Sequence, residues 1–315
     1  MIEINNLVKK YGDKRAVSGI SFTVNDDEVL GFLGPNGAGK TTTMNIISGY
    51  LSSTSGTVKV NGHDILEEPD VAKKQIGYLP ENPPLYNDMT VREYLNYICD
   101  LKGVAKDQRK NQLDRILSLV KIDDVYNRLI GNLSKGYKQR VGIAQAMVGD
   151  PPILILDEPT VGLDPNQIIE IRKLIKSLSK THSIIISSHI LPEIQEIADR
   201  VVIINNGKIA AVDSISDLSK RLSGQTKLLM TFKGPSKDCV NKLRSIHGIV
   251  SAIPRSSGNN LSQIEISIAS DNSTEVRSSV FFMMANAGWP ILELCSLDPT
   301  LEEIFLSITS GKARK

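Results

Sequence analysis

Residues 34–42 read Gly34-Pro35-Asn36-Gly37-Ala38-Gly39-Lys40-Thr41-Thr42, and the first eight satisfy the spacing G-x-x-x-x-G-K-[ST]. An apolar run, 29–33, precedes them, and a helical pattern follows from Thr42 to Ser48. Glycines at these positions let the chain turn so that several backbone N–H groups converge on phosphate oxygens. The start of the following helix adds its partial positive charge at the same point. Lys40 in a first helical turn opposes the helix dipole, and a bound polyphosphate removes that conflict. Thr41 offers a hydroxyl to magnesium.

Two further groups end apolar runs. Residues 153–158 read Ile-Leu-Ile-Leu-Asp157-Glu158, a buried strand closed by adjacent carboxylates. Acids commonly end strands, so two solvated carboxylates before Pro159 are the plain alternative. Beside a phosphate loop, Asp157 can approach magnesium while Glu158 approaches the water that attacks a γ-phosphate. Ser187-Ser188-His189 ends a third apolar run. A lone histidine there is usually a hydrogen-bonded structural residue. Parallel strands, however, bring their C-terminal ends to one edge, where ligands bind, so one shared site is the economical reading.

The elements that must position these groups are legible as strand candidates at 29–33, 76–79, 153–156, 183–187 and 200–204. Apolar residues run through them without alternation, as in strands buried on both faces of a parallel sheet. Thr90 and Glu93 have capping-box spacing ahead of a helix over 90–101. The stretch 107–147 is mostly helical and interrupts the α/β order, as a helical insertion spanning about 85–147. Near Leu222-Ser223-Gly224 a small polar break separates residues 1–222 from 223–315. Beyond it the predicted order is β-α-β-β-α-β, a ferredoxin-like split-βαβ arrangement of a small α+β domain. A last helix starts at Pro299 behind an Asp298 cap, with Leu301, Ile304, Phe305 and Ile308 on one face.

The chain has 315 residues, 41% apolar and 23% charged, enough for a packed core. Lys and Arg number 37 against 35 acids, a balance that argues against a dedicated nucleic-acid binder. No apolar stretch is long enough to span a membrane, and the first residues carry no export signal pattern. Cys99, Cys239 and Cys295 lie far apart without metal-ligand spacing, as in a reduced cytoplasmic protein.

Residues 2 to about 220 resemble an ATP-binding cassette (ABC) ATPase. Leu133-Ser134-Lys135-Gly136-Tyr137-Lys138-Gln139-Arg140 stands where that family has its signature sequence. Val161-Gly162-Leu163-Asp164 matches the loop that meets a partner cassette. The resemblance implies a P-loop α/β fold, with Tyr11 stacked on adenine and His189 contacting the γ-phosphate. It also implies that two cassettes, as a homodimer or with a close paralogue, pack head to tail around ATP and Mg2+. Ser134 and Gly136 then contact nucleotide held across the interface, and Asp164 lies at the dimer contact.

Two departures stand out. Lys135 and Tyr137 replace a glycine and a glutamine of the usual signature, and Glu81 stands where a glutamine is common. Glutamate can still coordinate magnesium, which puts Glu81 with Thr41 and Asp157 as metal ligands. Both variants, in IGYLPENPPLY and LSKGYKQRVG, resemble export cassettes associated with gliding motility and with drug or polysaccharide efflux. An ATPase subunit on the inner face of the cell membrane, driving a separate integral membrane permease, is the implied function. A non-transport cassette acting on nucleic acid or ribosomes is the alternative. Against it, no coiled coil separates phosphate loop from signature, and only one cassette is present. A GTP-binding switch would need an Asn-Lys-x-Asp stretch, and Asn241-Lys242 is followed by Leu243-Arg244. The basic residues 311–315 read either as a solvated terminus or as a contact with acidic lipid.

Overall fold

A computed structural model of the chain describes all residues except 219–224, 259–260, 270–272, 298–300 and 310–315. The break at 222–224, the Asp298 cap with Pro299, and the basic terminus therefore lie outside the described residues. The chain divides into two compact units, Met1–Ser214 and Ile215–Lys315.

The first unit holds two sheets. One is antiparallel, in the order β2-β1-β4-β5, from β1 (Ile2–Tyr11), β2 (Lys14–Val24), β4 (Ser55–Val60) and β5 (His63–Asp64). The other contains β3 (Val29–Leu33), β6 (Ile76–Leu79), β7 (Ile153–Asp157), β8 (Ser183–Ser188), β9 (Arg200–Asn205) and β10 (Lys208–Ser214). Its order is β10-β9-β3-β8-β7-β6, parallel except for the β9–β10 hairpin. The apolar runs expected as strands are the parallel ones. Sequence reading missed the antiparallel sheet, because β1 and β2 carry many exposed polar residues between their buried ones.

Every residue of β3, β7 and β8 is buried, which explains why polar alternation is missing from them. Leu30, Phe32, Ile153, Ile155 and Ile185 share a core with Ile2, Ile4 and Phe22 of the antiparallel sheet. The Phe22 and Phe32 rings stand 5.4 Å apart. Side chains alternate along a strand, so Leu154, Leu156, Ile184 and Ile186, also buried, occupy the opposite face.

Helices α1 (Lys40–Ile47), α2 (Pro69–Lys74), α3 (Val91–Leu101), α4 (Lys106–Val120), α5 (Lys135–Met147), α6 (Pro165–Leu178) and α7 (Leu191–Ile197) connect the strands. The capping box at Thr90 and Glu93 is formed: Glu93 N–H donates to Thr90 Oγ1, and Thr90 N–H to Glu93 Oε2. The insertion is helical but broken, with short 3₁₀ turns at Asp123–Val125 and Ile130–Asn132 ahead of α5. Tyr94 of α3 donates to Gln145 of α5 at 2.6 Å. Lys102 Nζ donates to the Val148 and Ala146 carbonyls at 2.6 and 3.2 Å. Burial presses the Lys102 ammonium down to about 8. Helix α3 and its cap Lys102 thus grip the C-terminal end of α5, whose other end carries Ser134 and Gly136.

The second unit runs β11 (Gln225–Phe232), α8 (Ser236–Leu243), β12 (Ile249–Gly258), β13 (Leu261–Ala269), α9 (Ser273–Asn286), β14 (Ile291–Ser296) and α10 (Leu301–Thr309). Its sheet is antiparallel in the order β12-β13-β11-β14. Leu228, Met230, Phe232, Ile264 and Ile266 pack against Val276, Val280 and Met284 in a core separate from that of the first unit. In α10, Leu301 and Ile304 are buried. Among the described residues no helix is long and apolar enough to cross a membrane.

Because the first unit has its own core, a chain ending at Leu222 is expected to fold and bind nucleotide. A cooperative thermal melt whose midpoint rises with Mg-ATP is the expected outcome. An unstructured fragment would show that the units fold only together.

Candidate nucleotide site

Strand register sets the site. In the parallel ladder Leu33 stands opposite Ser188, Asp157 opposite Ser187, and Leu79 opposite Leu156. Four adjacent strands, β3, β8, β7 and β6, therefore end on one edge. Asp157 is the last residue of β7, and residues 34–39, Glu158, His189 and Glu81 lie just beyond those ends. A cleft of about 720 Å³ opens there, lined among others by Tyr11, Lys40, Thr41, Glu81, Glu158 and His189. Tyr11, at the end of β1, is 49% exposed and presents its ring to Lys9 Nζ at 5.4 Å.

The loop 34–39 is shaped by close approach. Gly39 caps α1 with φ +107°, and a Cβ there would sit 2.5 Å from the Ala16 carbonyl oxygen. Only glycine meets both demands. Gly39 supplies no side-chain cap, and the first turn of α1 holds no acid. Its N–H groups and the positive end of its dipole are therefore left for an anion. Asn36, Gly37, Gly39, Lys40, Thr41 and Thr42 line the cleft, whereas Gly34 and Ala38 are buried in the turn and Pro35 flanks it. Lys40, 7% exposed, donates from Nζ to the Gly34 carbonyl at 2.8 Å and the Pro35 carbonyl at 3.4 Å. Loop carbonyls hold the ammonium at the mouth of the loop, where phosphate oxygens would meet it.

Asp157 is fully buried. Ser187 Oγ donates to its Oδ1, the Thr41 hydroxyl lies beside the carboxylate, and Oδ2 is buried without a hydrogen-bond partner. Burial holds the Asp157 carboxyl above the usual carboxylate range; bonds from Ser187 and Thr41 pull it down, and Glu158 and Glu81 push it up. A buried carboxylate oxygen without a donor, beside a threonine hydroxyl, fits a hard cation. Among the described residues no three His, Cys, Asp or Glu side chains are grouped to hold a metal alone. Magnesium takes one or two carboxylates and completes its shell with water and substrate phosphates, so Asp157 beside Thr41 is enough protein ligation for it. Glu81 is exposed at the cleft wall. Its strand is tied to α1 by Tyr78, whose hydroxyl donates to Asn45 at 2.9 Å.

Glu158 is 7% exposed and takes φ +50°, in the left-handed region, which ends β7 abruptly. Its N–H donates to Ser187 at both the carbonyl (3.2 Å) and Oγ (3.1 Å). Its Oε2 meets His189 Nδ1 at 2.7 Å, and His189 is half exposed to the cleft. A carboxylate and an imidazole so placed can orient a water and move its proton.

Ser134, Gly136 and Asp164 do not line this cleft. Ser134 caps α5, accepting from Tyr137 N–H at 3.4 Å. Gly136 is buried, and a Cβ there would lie 2.6 Å from the Gln167 side chain. Asp164 caps α6, accepting from Gln167 N–H at 2.9 Å, with Pro165 in the first turn. The Tyr137 hydroxyl donates to Asp124 at 2.8 Å. Sequence reading missed Lys14, Arg15, Ala16, Asn206 and Gly207, which line the cleft, as does Val161 of the loop expected to meet a partner cassette. Gly207 bonds Ser18 N–H and the Ala38 carbonyl, so its turn is brought to the phosphate loop by tertiary hydrogen bonds that no local spacing announces.

The profile of the family described as ABC transporter matches residues 17–161. The linearmycin resistance ATP-binding protein of Bacillus subtilis is 33% identical over 319 aligned residues, covering 100% of both chains. The chain belongs to the ABC transporter ATP-binding family. The bacitracin transport ATP-binding protein of Bacillus licheniformis is 40% identical across 70% of this cassette chain and 72% of its own. Among solved structures, one described as the ATP binding subunit of an ABC transporter superposes with TM-score 0.65 at 29% identity. It covers 70% of this chain and 92% of that one. The ABC cassette fold, a P-loop ATPase fold, is thereby that of the first unit.

Lys40→Ala is expected to weaken ATP binding about 10- to 100-fold, the worth of one or more charge-assisted hydrogen bonds. Calorimetric titration of the folded variant measures it.

Proposed function

We propose that this cassette binds Mg-ATP in the cleft, hydrolyses it, and powers an exporter through a separate integral membrane permease. The observation that carries the hydrolytic reading is the 2.7 Å Glu158–His189 pair beside the phosphate loop. The export reading is supported by full-length similarity to a resistance protein. On this reading the chain acts in the cytoplasm, peripheral to the inner face of the membrane.

Tyr11 stacks on adenine. The N–H groups of 34–42 enclose the phosphates, and Lys40 leaves its loop carbonyls to bond them. Thr41, Asp157 and Glu81 would hold magnesium, which when bound supplies a Lewis acid to the phosphate oxygens. Glu158 accepts hydrogen from the attacking water, and His189 orients Glu158 and contacts the γ-phosphate. Two cassettes, identical or closely related, close over nucleotide. Ser134 and Gly136 at the start of α5 then contact the partner's ATP, and Asp164 lies at the contact between them. The first unit, which closes at Ser214, is the body of a cassette over 1–222 with its helical insertion at 85–147. The second corresponds to a ferredoxin-like accessory domain over 223–315, a reading supported by its β-α-β-β-α-β order and its central β11.

Glu158→Gln keeps shape but cannot accept a proton. Retained Mg-ATP binding, turnover lowered about 100-fold or more, and an ATP-dependent dimer on sizing are the expected outcome. Wild-type turnover would make Glu158 a structural acid.

Glu81→Gln removes one negative charge from a site that already holds Asp157 and Glu158. ATP binding in EDTA is expected to tighten, and magnesium to enhance it less than in the wild type. Equal magnesium dependence in both proteins would remove Glu81 from the metal ligands.

A further inference from the structure

Two side-chain hydrogen bonds join the segment after β7 to the segment after β8. The outer one is the Glu158–His189 pair at the cleft. The inner one runs from Thr160 Oγ1 to Glu193 Oε2 at 2.5 Å. Thr160 is 2% exposed and Glu193 6%, so this bond lies away from water. Glu193 stands in the first turn of α7, one turn beyond His189. Thr160 stands just beyond Glu158, in a bend where Val161 N–H donates to the Glu158 carbonyl at 3.2 Å.

A buried carboxylate is costly unless hydrogen-bonded, and among the described residues no cation pairs with Glu193. The Thr160 hydroxyl is what satisfies it. A second link, Arg172 Nη1 to Glu196 at 2.7 Å, holds α7 against α6. The helix following His189 is thus fastened at two points to the chain following Glu158. Glu158 itself sits at φ +50°, a conformation that persists only where its surroundings impose it.

We infer that Thr160 and Glu193 are positioning residues that hold Glu158 and His189 in register at the cleft. The inference rests on the roles proposed above for Glu158 and His189. Thr160 and Glu193 are both buried and stand off the cleft lining, so they act on it through Glu158 and His189. Their bond acts through the backbone of two short segments. A displacement of a catalytic group by about 1 Å can cost a factor of 100 in rate.

Steady-state ATPase kinetics on Thr160→Val, Thr160→Ser and the double variant Thr160→Val/Glu193→Met test this, with Glu158→Gln as control. Thr160→Val removes the donor at constant shape and is expected to lower kcat about tenfold or more. KM for ATP should stay within about twofold, because the phosphate loop is untouched. Thr160→Ser restores the hydroxyl and should return kcat to within about threefold of wild type. The double variant leaves no buried carboxylate unpaired, so it should melt no lower than Thr160→Val and still turn over slowly. Wild-type kcat in the double variant would overturn the inference, as would Thr160→Ser as slow as Thr160→Val. If Glu158→Gln itself keeps turnover, the assignment of Glu158 falls. If Glu158→Gln is inactive and Thr160→Val is not, only the positioning role falls.

Discussion

A buried carboxylate that no cation pairs with among the described residues organises the first unit. Asp157 is fully buried at the end of β7, one of its oxygens has no donor, and Glu158 and Glu81 stand close enough to disfavour its ionisation further. Lys40, the cation in the loop, is occupied by carbonyls and makes no ion pair with these acids. An uncapped helix start faces the same cleft. Alone, each of these is unfavourable. A polyphosphate with magnesium would resolve them together, since the loop N–H groups and Lys40 could bond phosphate and the carboxylates could hold the cation. The fully buried β3, β7 and β8 make this possible by fixing four strand ends in register.

How much of this was legible in the sequence follows from what is local. The phosphate loop, the Asp157-Glu158 pair and the Ser187-Ser188-His189 end are contiguous, and buried parallel strands leave uninterrupted apolar runs. Their convergence followed from one rule about strand ends. The antiparallel sheet was not legible, because the β1–β2 pair alternates irregularly through register shifts around Leu7 and Val8. Ser187 as the donor to Asp157, and Gly207 against Ala38, arise only when strands distant in sequence pair. Thr160 and Glu193 belong to the same class: each looks unremarkable in its own segment. Asp164 carried a second meaning that its position before Pro165 could have announced, since Asp followed by Pro is a helix start.

The second unit presents a different balance. Its strands read clearly because Leu228, Met230 and Phe232 alternate with residues on the other sheet face, as do Ile264, Ile266 and Ile268. On that face Glu265 is buried between Arg255 and Lys227, whose hydrogen bonds, Arg255 foremost, hold its carboxyl below the usual range. The alignment with the linearmycin resistance protein extends through this unit, whereas that with the bacitracin transport protein covers 70% of the chain.

The charge imbalance at Asp157 is the claim on which the site stands. Thermal melts of the wild type and Asp157→Asn, in EDTA and in Mg-ATP, test it most directly. Removing a buried charge that no cation pairs with should make the variant melt at or above the wild type in EDTA. The midpoint gain from Mg-ATP should shrink or vanish in the variant, because the cation loses its ligand. A variant that melts lower in EDTA yet keeps the full Mg-ATP gain would contradict the account and make Asp157 a structural acid.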